Sequence, residues 1–407
     1  MKKFIKIKNF IKLVIALQVL VFSLVLSAQI GLRKVEAASA DNIRIGVITA
    51  ETGGASRWGI FGLRGVMLAA QQINDSGGLL GKKIEVIKAD SQCIPDEAVS
   101  AAQRLINLDK VHLFIGPLCS SEAKALQPIV EEAKIPLVMS ACSDPEITYR
   151  AGVGGFKWSF RNYPTDEIRA LVVLEYAAKQ KGFSKFSLLA VDNDFGRGAV
   201  AFTQKYLPRF PNARFASFDY FSLKETDFRP ILSKVKAAGS EVIIVYAIAA
   251  DTVRILGQQM RELGLAGKVR IMGLGDITHP DTIKALPDVL EGAAEVTAWL
   301  MQLDHPRSKQ FIEDYKKMFG EVPNFSAFNY WETTHLVLQA IKAAKTVNNE
   351  DIYKALKAIK YESVMGTIYF DDHNQSNIPF ILVEIANGKP VIKGTFWSQP
   401  DYPKKTK

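Results

Sequence analysis

The sequence predicts an α/β fold: two doubly wound parallel-sheet lobes joined by a hinge that the chain crosses several times. Three observations carry this expectation. Short apolar runs alternate with segments whose apolar residues recur at helical spacing, through most of the 407 residues. That length is too great for one compact core and suits two. The alternation also restarts after Arg161–Pro164 with no low-complexity tether, so compact crossings rather than a flexible linker must join the lobes.

The first forty residues stand apart from this pattern. Lys2, Lys3, Lys6, Lys8 and Lys12 precede the apolar run Leu13–Leu26, and small-residue cleavage patterns follow at Val35–Ala37 and Ala38–Ala40. This is the form of a cleavable export signal, predicted over 1–40. No cysteine lies near the cleavage region, so a lipid-anchored terminus is not expected. The segment also holds most of the basic excess. Its seven Lys and Arg against Glu36 account for +6 of the chain's +9, leaving +3. So mild a balance argues against nucleic acid as a partner.

Taken in order, Ile43–Ile48 reads as a strand, and 59–76 as a helix stopped by Gly77-Gly78. A strand at Lys83–Ile87, a helix at Glu97–Leu108 and a strand at Val111–Ile115 follow. Next come a helix at Glu122–Lys134 and a strand at Pro136–Met139. The second series runs through a helix at Thr165–Lys181 and a strand at Phe186–Val191. A helix at 198–206 then leads to a strand at Arg214–Tyr220. Helix Phe228–Ala238, strand Glu241–Ala247, helix Thr252–Leu263 and strand Val269–Gly273 complete it. Two long helical patterns, Arg307–Phe319 and Ser326–Ala344, precede strands at Thr367–Phe370 and Phe380–Ile385. The expected lobes are 41–161 with 292–366, and 162–291 with 367–400.

In open α/β sheets, ligands sit at the carboxyl ends of strands. The most informative such place is Val111–Ala123. An apolar strand ends at Gly116-Pro117, and Ser120 and Ser121 follow where a helix begins. Unpaired N–H groups and the positive helix end collect there and welcome a small anion. The loop after the next strand offers Ala141, Cys142 and Ser143, then Asp144 before Pro145. Trp58, Phe195, Tyr246 and Asp276 stand at other strand ends. Ser120 and Ser143 also suit helix N-caps. Three cysteines in an exported chain permit one disulfide. Cys93 and Cys119 follow neighbouring strands and are paired here, leaving Cys142 free. Cys119–Cys142 and Cys93–Cys142 stay open as alternatives.

No nucleophile elbow, phosphate loop, zinc-protease helix or paired-cysteine motif occurs, and the five histidines lack ligand spacing. The expectation is therefore a non-enzymatic protein with no cofactor and no metal.

Together these residues resemble the substrate-binding proteins of branched-chain amino acid ABC importers, with their type I periplasmic-binding fold. The resemblance rests on Ile45-Gly46-Val47 with Thr52-Gly53, on Gly77-Gly78, and on Cys93 with Leu118–Ser121. It continues through Pro145–Thr148, Phe160-Arg161, Asp194–Gly196, Asp227-Phe228 and Met272-Gly273. It implies a periplasmic monomer whose lobes close on an amino acid and which delivers it to a membrane ABC permease. By the same resemblance, Ser120 and Ser143 hold the α-carboxylate. The carbonyl at Ala141 or Cys142 and the Ser143 hydroxyl receive the ammonium. The chain departs from the family at Trp58 and Phe195, where the family has tyrosine. It departs again at Gly275, with Asp276 one place after the expected acidic residue. An aromatic or other small carboxylate, and a sensor rather than a transport role, are the alternative expectations.

Overall fold

The structure is a computed structural model describing residues 42–248, 250–397 and 400–403. The expected export signal at 1–40 lies outside the described residues. The first sheet contains β1 (Ile43–Thr49), β2 (Ile84–Asp90), β3 (Leu113–Ile115), β4 (Leu137–Met139) and β5 (Ser159–Arg161). Its order is β2-β1-β3-β4-β5, and every pairing is parallel. Its connections carry α1 (Ser56–Asp75), α2 (Pro95–Asn107), α3 (Ser120–Ala133) and α4 (Pro145–Tyr149). β1 and β3 are buried along nearly their whole length, as strands covered on both faces must be.

The second lobe opens with α5 (Asp166–Leu174), which passes into one π-helical turn at Glu175–Gln180. Strands β6 (Lys185–Val191), β7 (Arg214–Phe221), β8 (Val242–Tyr246) and β9 (Arg270–Leu274) then alternate with α6 (Asp194–Tyr206), α7 (Arg229–Ala238) and α8 (Ala250–Glu262). Short helices α9 (Pro280–Ala285) and α10 (Pro287–Leu290) lead into β10 (Ala294–Thr297). The chain then returns to the first lobe as α11 (Pro306–Phe319), α12 (Phe325–Ala344), α13 (Asn349–Ala358) and a hairpin of β11 (Tyr361–Ser363) with β12 (Gly366–Ile368). Finally β13 (Phe380–Ala386) and β14 (Lys389–Phe396) cross back.

The second sheet runs β14-β13-β10-β9-β8-β6-β7. Its β7-to-β10 part is parallel, but β13 and β14 are antiparallel, so this sheet is mixed at one edge. The β13–β14 turn is Asn387-Gly388, both with positive φ, the residue pair that a two-residue hairpin turn favours. Strand β10 lies in this sheet, between β9 and β13, and not in the first lobe, where the expected boundary at 292 puts it. Its four residues are all buried and too few to show a period.

Helix α12 fills the space beside α1. The approach is close enough that a Cβ on Gly65 would stand 2.1 Å from the Ala327 carbonyl oxygen, so α1 needs glycine there. At the hinge, fully buried Arg161 ties the crossings together. Its Nε donates to Gln375 Oε1 at 2.6 Å and its Nη1 to the Asp144 carbonyl at 2.6 Å, while Nη2 reaches Thr148. Gln375 Nε2 donates in turn to the Tyr163 carbonyl at 2.9 Å. A buried guanidinium is costly unless its donors are used, and each of its three nitrogens makes a hydrogen bond here.

Candidate functional site

The carboxyl ends of strands from both sheets meet across a cavity whose space, its open mouth included, is about 320 Å³. Leu118, Cys119 and Ser120 enter it after β3, Ala141 and Ser143 after β4, and Tyr163 after β5. Trp58 comes from the first turn of α1 and Phe325 from the start of α12. Phe195, Ile248 and Leu274 close it from the second lobe.

The loop before α3 is tightly determined. Cys93 and Cys119 form a disulfide with Cα atoms 5.6 Å apart, and Cys142 is free and buried. The open alternatives that joined Cys142 to either partner are thereby set aside. Cys142 Sγ donates to the Pro117 carbonyl at 3.1 Å and approaches that of Cys119 at 3.4 Å, bracing the loop from behind. Burial raises its thiol pKa well above the usual value. Cys119, not Ser120, is the N-cap of α3, and Glu122 Oε2 accepts its backbone N–H at 3.0 Å. Burial pushes the Glu122 carboxyl up to about 7. Ser120 is instead the first helical residue, so its N–H and that of Ser121 have no intrahelical partner.

The two serines present opposite polarities. Ser120 Oγ accepts the Asp144 N–H at 3.3 Å, which leaves its own O–H to donate. Ser143 Oγ donates to Asp166 Oδ2 at 2.6 Å, which leaves its lone pairs to accept. Asp166 is buried and ion-paired with Arg169; burial pushes its pKa up against the pull of that guanidinium. Arg169 is itself held by the Tyr163 hydroxyl and the Val296 carbonyl, both 3.2 Å away. The cavity therefore offers a donor and an acceptor on two neighbouring loops, with apolar and aromatic walls around them.

Of the residues singled out from the sequence, the structure brings Trp58, Ser120, Ala141, Ser143 and Phe195 to this cavity. Ser121 and Cys142 flank it without lining it, and buried Tyr246 stands behind Phe195 with ring centroids 5.9 Å apart. Asp276 lines a neighbouring cavity of about 290 Å³ with Thr278, His279, Glu295 and Asn324. Its Oδ2 accepts Trp58 Nε1 at 2.6 Å and Asn324 Nδ2 at 3.1 Å. Burial pushes its pKa up to about 6, and those two hydrogen bonds oppose the rise. Leu118, Tyr163, Ile248, Leu274 and Phe325 were not singled out. Leu118 adjoins Cys119 in the sequence, and Tyr163 marks the change of lobe. Phe325 carries no local sign, since only the return of α12 sets it against Trp58 at 4.7 Å, edge to face.

A second set of contacts spans the lobes at the rim. Lys124 of α3 stands 2.9 Å from Asp144 and 3.0 Å from Asp194, the first residue of α6. Those neighbouring carboxylates outweigh its partial burial and raise its pKa.

Two α/β lobes meeting at their strand ends over a small cleft with polar groups among apolar walls define a two-lobed ligand-binding protein. The chain belongs to the periplasmic binding protein family, which its residues 42–390 match. It is similar to the leucine-, isoleucine-, valine-, threonine- and alanine-binding protein of Pseudomonas aeruginosa, with 24% identity over 85% of this chain and 90% of that one. It is also similar to a crystal structure of an ABC-transporter solute-binding protein from Rhodopseudomonas palustris in complex with 3,4-dihydroxybenzoic acid. There the TM-score is 0.79 and the identity 26%, over 89% of this chain and 99% of that one. The branched-chain amino acid transporter substrate-binding protein of Streptococcus pneumoniae in complex with isoleucine shares the fold. Its TM-score is 0.76 at 22% identity, over 88% of this chain and 100% of that one. Among the described residues, no helix is long and apolar enough to cross a membrane.

Proposed function

We propose that this protein is the extracytoplasmic solute-binding component of an ABC importer. Exported by the signal at 1–40, it takes up an amino acid or a closely related small carboxylate and delivers it to a membrane permease. The observation that carries the ligand class is the polarity of the two serines. A carboxylate at the start of α3 meets the Ser120 O–H and the first-turn N–H groups, while the lone pairs of Ser143, backed by Asp166, suit an ammonium or a hydroxyl donor. Kinship to amino-acid-binding proteins supports the same reading.

A second reading is favoured by one specific observation. The acidic group that should meet an α-ammonium from the second lobe, Asp276, has its Oδ2 taken by Trp58 and Asn324 and lines a different cavity. A hydroxylated aromatic carboxylate needs no such group, would place its hydroxyl at Ser143, and would stack among Trp58, Tyr163, Phe195 and Phe325. Similarity to the protein that holds 3,4-dihydroxybenzoic acid supports this second reading.

One experiment addresses both. The mature chain is titrated by calorimetry with leucine, isoleucine and valine and with 3,4-dihydroxybenzoate, with thermal melting in parallel. Micromolar or tighter binding, with a raised melting temperature, is expected for one of the two groups and selects between the readings. Binding of neither group at millimolar concentration would overturn both.

A further inference from the structure

We propose that Asp276 is a positioning residue: it clasps the Trp58 indole across the two lobes, so that domain closure and construction of the ligand's aromatic wall are one event. This rests on the two-lobed binding reading above and deepens it by giving the side chain a role other than contact with ligand.

Two contacts hold Trp58 within its own lobe. Its carbonyl accepts the Ser326 hydroxyl at 2.9 Å, and its ring meets Phe325 edge to face. Both partners belong to α12, which packs on α1 within the first lobe, so these contacts do not depend on closure. Asp276 is different. It follows β9 of the second sheet, yet both donors to its Oδ2, Trp58 Nε1 and Asn324 Nδ2, come from first-lobe elements. Asn324 is the N-cap of α12, and its own Oδ1 accepts the Ala327 N–H at 3.1 Å, which fixes the amide orientation. Asp276 also adopts positive φ (55°), an uncommon conformation for a residue other than glycine, and this turn projects its carboxylate across the gap.

Chemistry then decides what the clasp does. A carboxylate only 4% exposed must have its lost hydration replaced, and two first-lobe N–H donors replace it. Separation of the lobes returns Asp276 and the indole N–H to water and leaves the ring held by Phe325 alone, less firmly fixed in the cavity wall. The side chain therefore acts on the ligand through Trp58. Asp276 lies outside the cavity that Ser143 lines, among the residues of the neighbouring one, and reaches the first only through the Trp58 indole N–H.

Three variants separate this from direct ligand contact. Asp276→Asn keeps a carbonyl oxygen that can accept both N–H groups, Asp276→Ala removes it, and Trp58→Phe keeps an aromatic wall but removes the donor. Leucine and 3,4-dihydroxybenzoate serve as probes, with association and dissociation rates read by stopped flow. For whichever probe binds the wild type, Asp276→Ala and Trp58→Phe should each release it about tenfold faster or more, with association little changed. The double variant should be no worse than either single one, and Asp276→Asn should stay within a few-fold of wild type. Equal loss in Asp276→Asn and Asp276→Ala, with Trp58→Phe unaffected, would overturn the clasp in favour of direct ligand contact. If neither probe binds, the functional reading fails while the clasp is still judged by nuclear magnetic resonance. The Trp58 indole N–H signal, assigned by its loss in Trp58→Phe, should move in Asp276→Ala and hold near its place in Asp276→Asn. An unmoved signal in Asp276→Ala refutes the clasp.

Discussion

Glu122 offers a quantitative test of how the loop before α3 is built. The carboxyl is completely buried at the third position of α3, and one oxygen accepts the Cys119 N–H. Burial carries its pKa from 4.5 to about 7, against the lowering effect of its hydrogen bonds. The folded protein therefore holds this proton more tightly than the unfolded chain does. Its contribution to stability is fully present below about 4.5 and is lost as pH rises through about 7. At about 1.4 kcal/mol per pH unit, the whole interval corresponds to about 3 kcal/mol. Glu122→Gln retains an oxygen for the Cys119 N–H and has no charge to desolvate. Urea denaturation of the oxidised protein at about pH 5, 6, 7 and 8 should show the variant gaining on wild type as pH rises, by about 2–3 kcal/mol between the extremes. Other groups change in the same range: Asp276 acts in the same direction, while half-buried His112 and His335, with depressed pKa values, lose stability as pH falls. The difference between variant and wild type cancels their contributions as long as the sites are independent. Parallel pH profiles for the two proteins would refute this account of the loop.

Other consequences follow from the same geometry. Ser120→Ala removes the O–H offered to a ligand carboxylate and should weaken binding by about tenfold or more in calorimetry, with melting of the unliganded protein lowered by only a few degrees. Unchanged affinity would remove Ser120 from the site. Reduction of the Cys93–Cys119 bond, which closes a loop with a sequence separation of 26, should cost about 3.5 kcal/mol in urea denaturation. A loss below about 1 kcal/mol would mean that the loop is constrained mainly by Glu122 and Cys142. Asp194→Asn cuts the partly exposed Lys124 bridge between lobes; ligand release should quicken by a few-fold at low salt, with the gap shrinking at high salt. A gap unaffected by ionic strength would show that the bridge exerts no electrostatic hold on closure.

Much of this architecture is legible in the residue order because its causes are local. Strand β8 is a continuous apolar run and β1 is one broken only by Arg44, and α1 and α3 announce themselves by spacing and by what stops or starts them. The anion-welcoming loop from Gly116 to Ser121 is visible for the same reason, since a strand end feeding a helix start is a feature of neighbouring residues. Weak local signals fare worse. β5 and β10, with three and four residues, carry no readable period. β14 escapes the sequence reading although Asn387-Gly388 marks its hairpin.

Residue order alone thus set the alternation of elements, the two-lobed class, and the serine and cysteine residues gathered at strand ends. Which hydroxyl donates and which accepts waited on the packed fold, because that depends on Asp144 and Asp166 standing beside them. So did the meeting of Asp276 with Trp58, 218 positions away in the chain, in place of a carboxylate facing the serines. Periodicity encodes which face of an element is buried. The partner of a polar side chain is set by how the crossings at Arg161 and Gln375 orient one lobe against the other, and that orientation leaves no mark on local residue order.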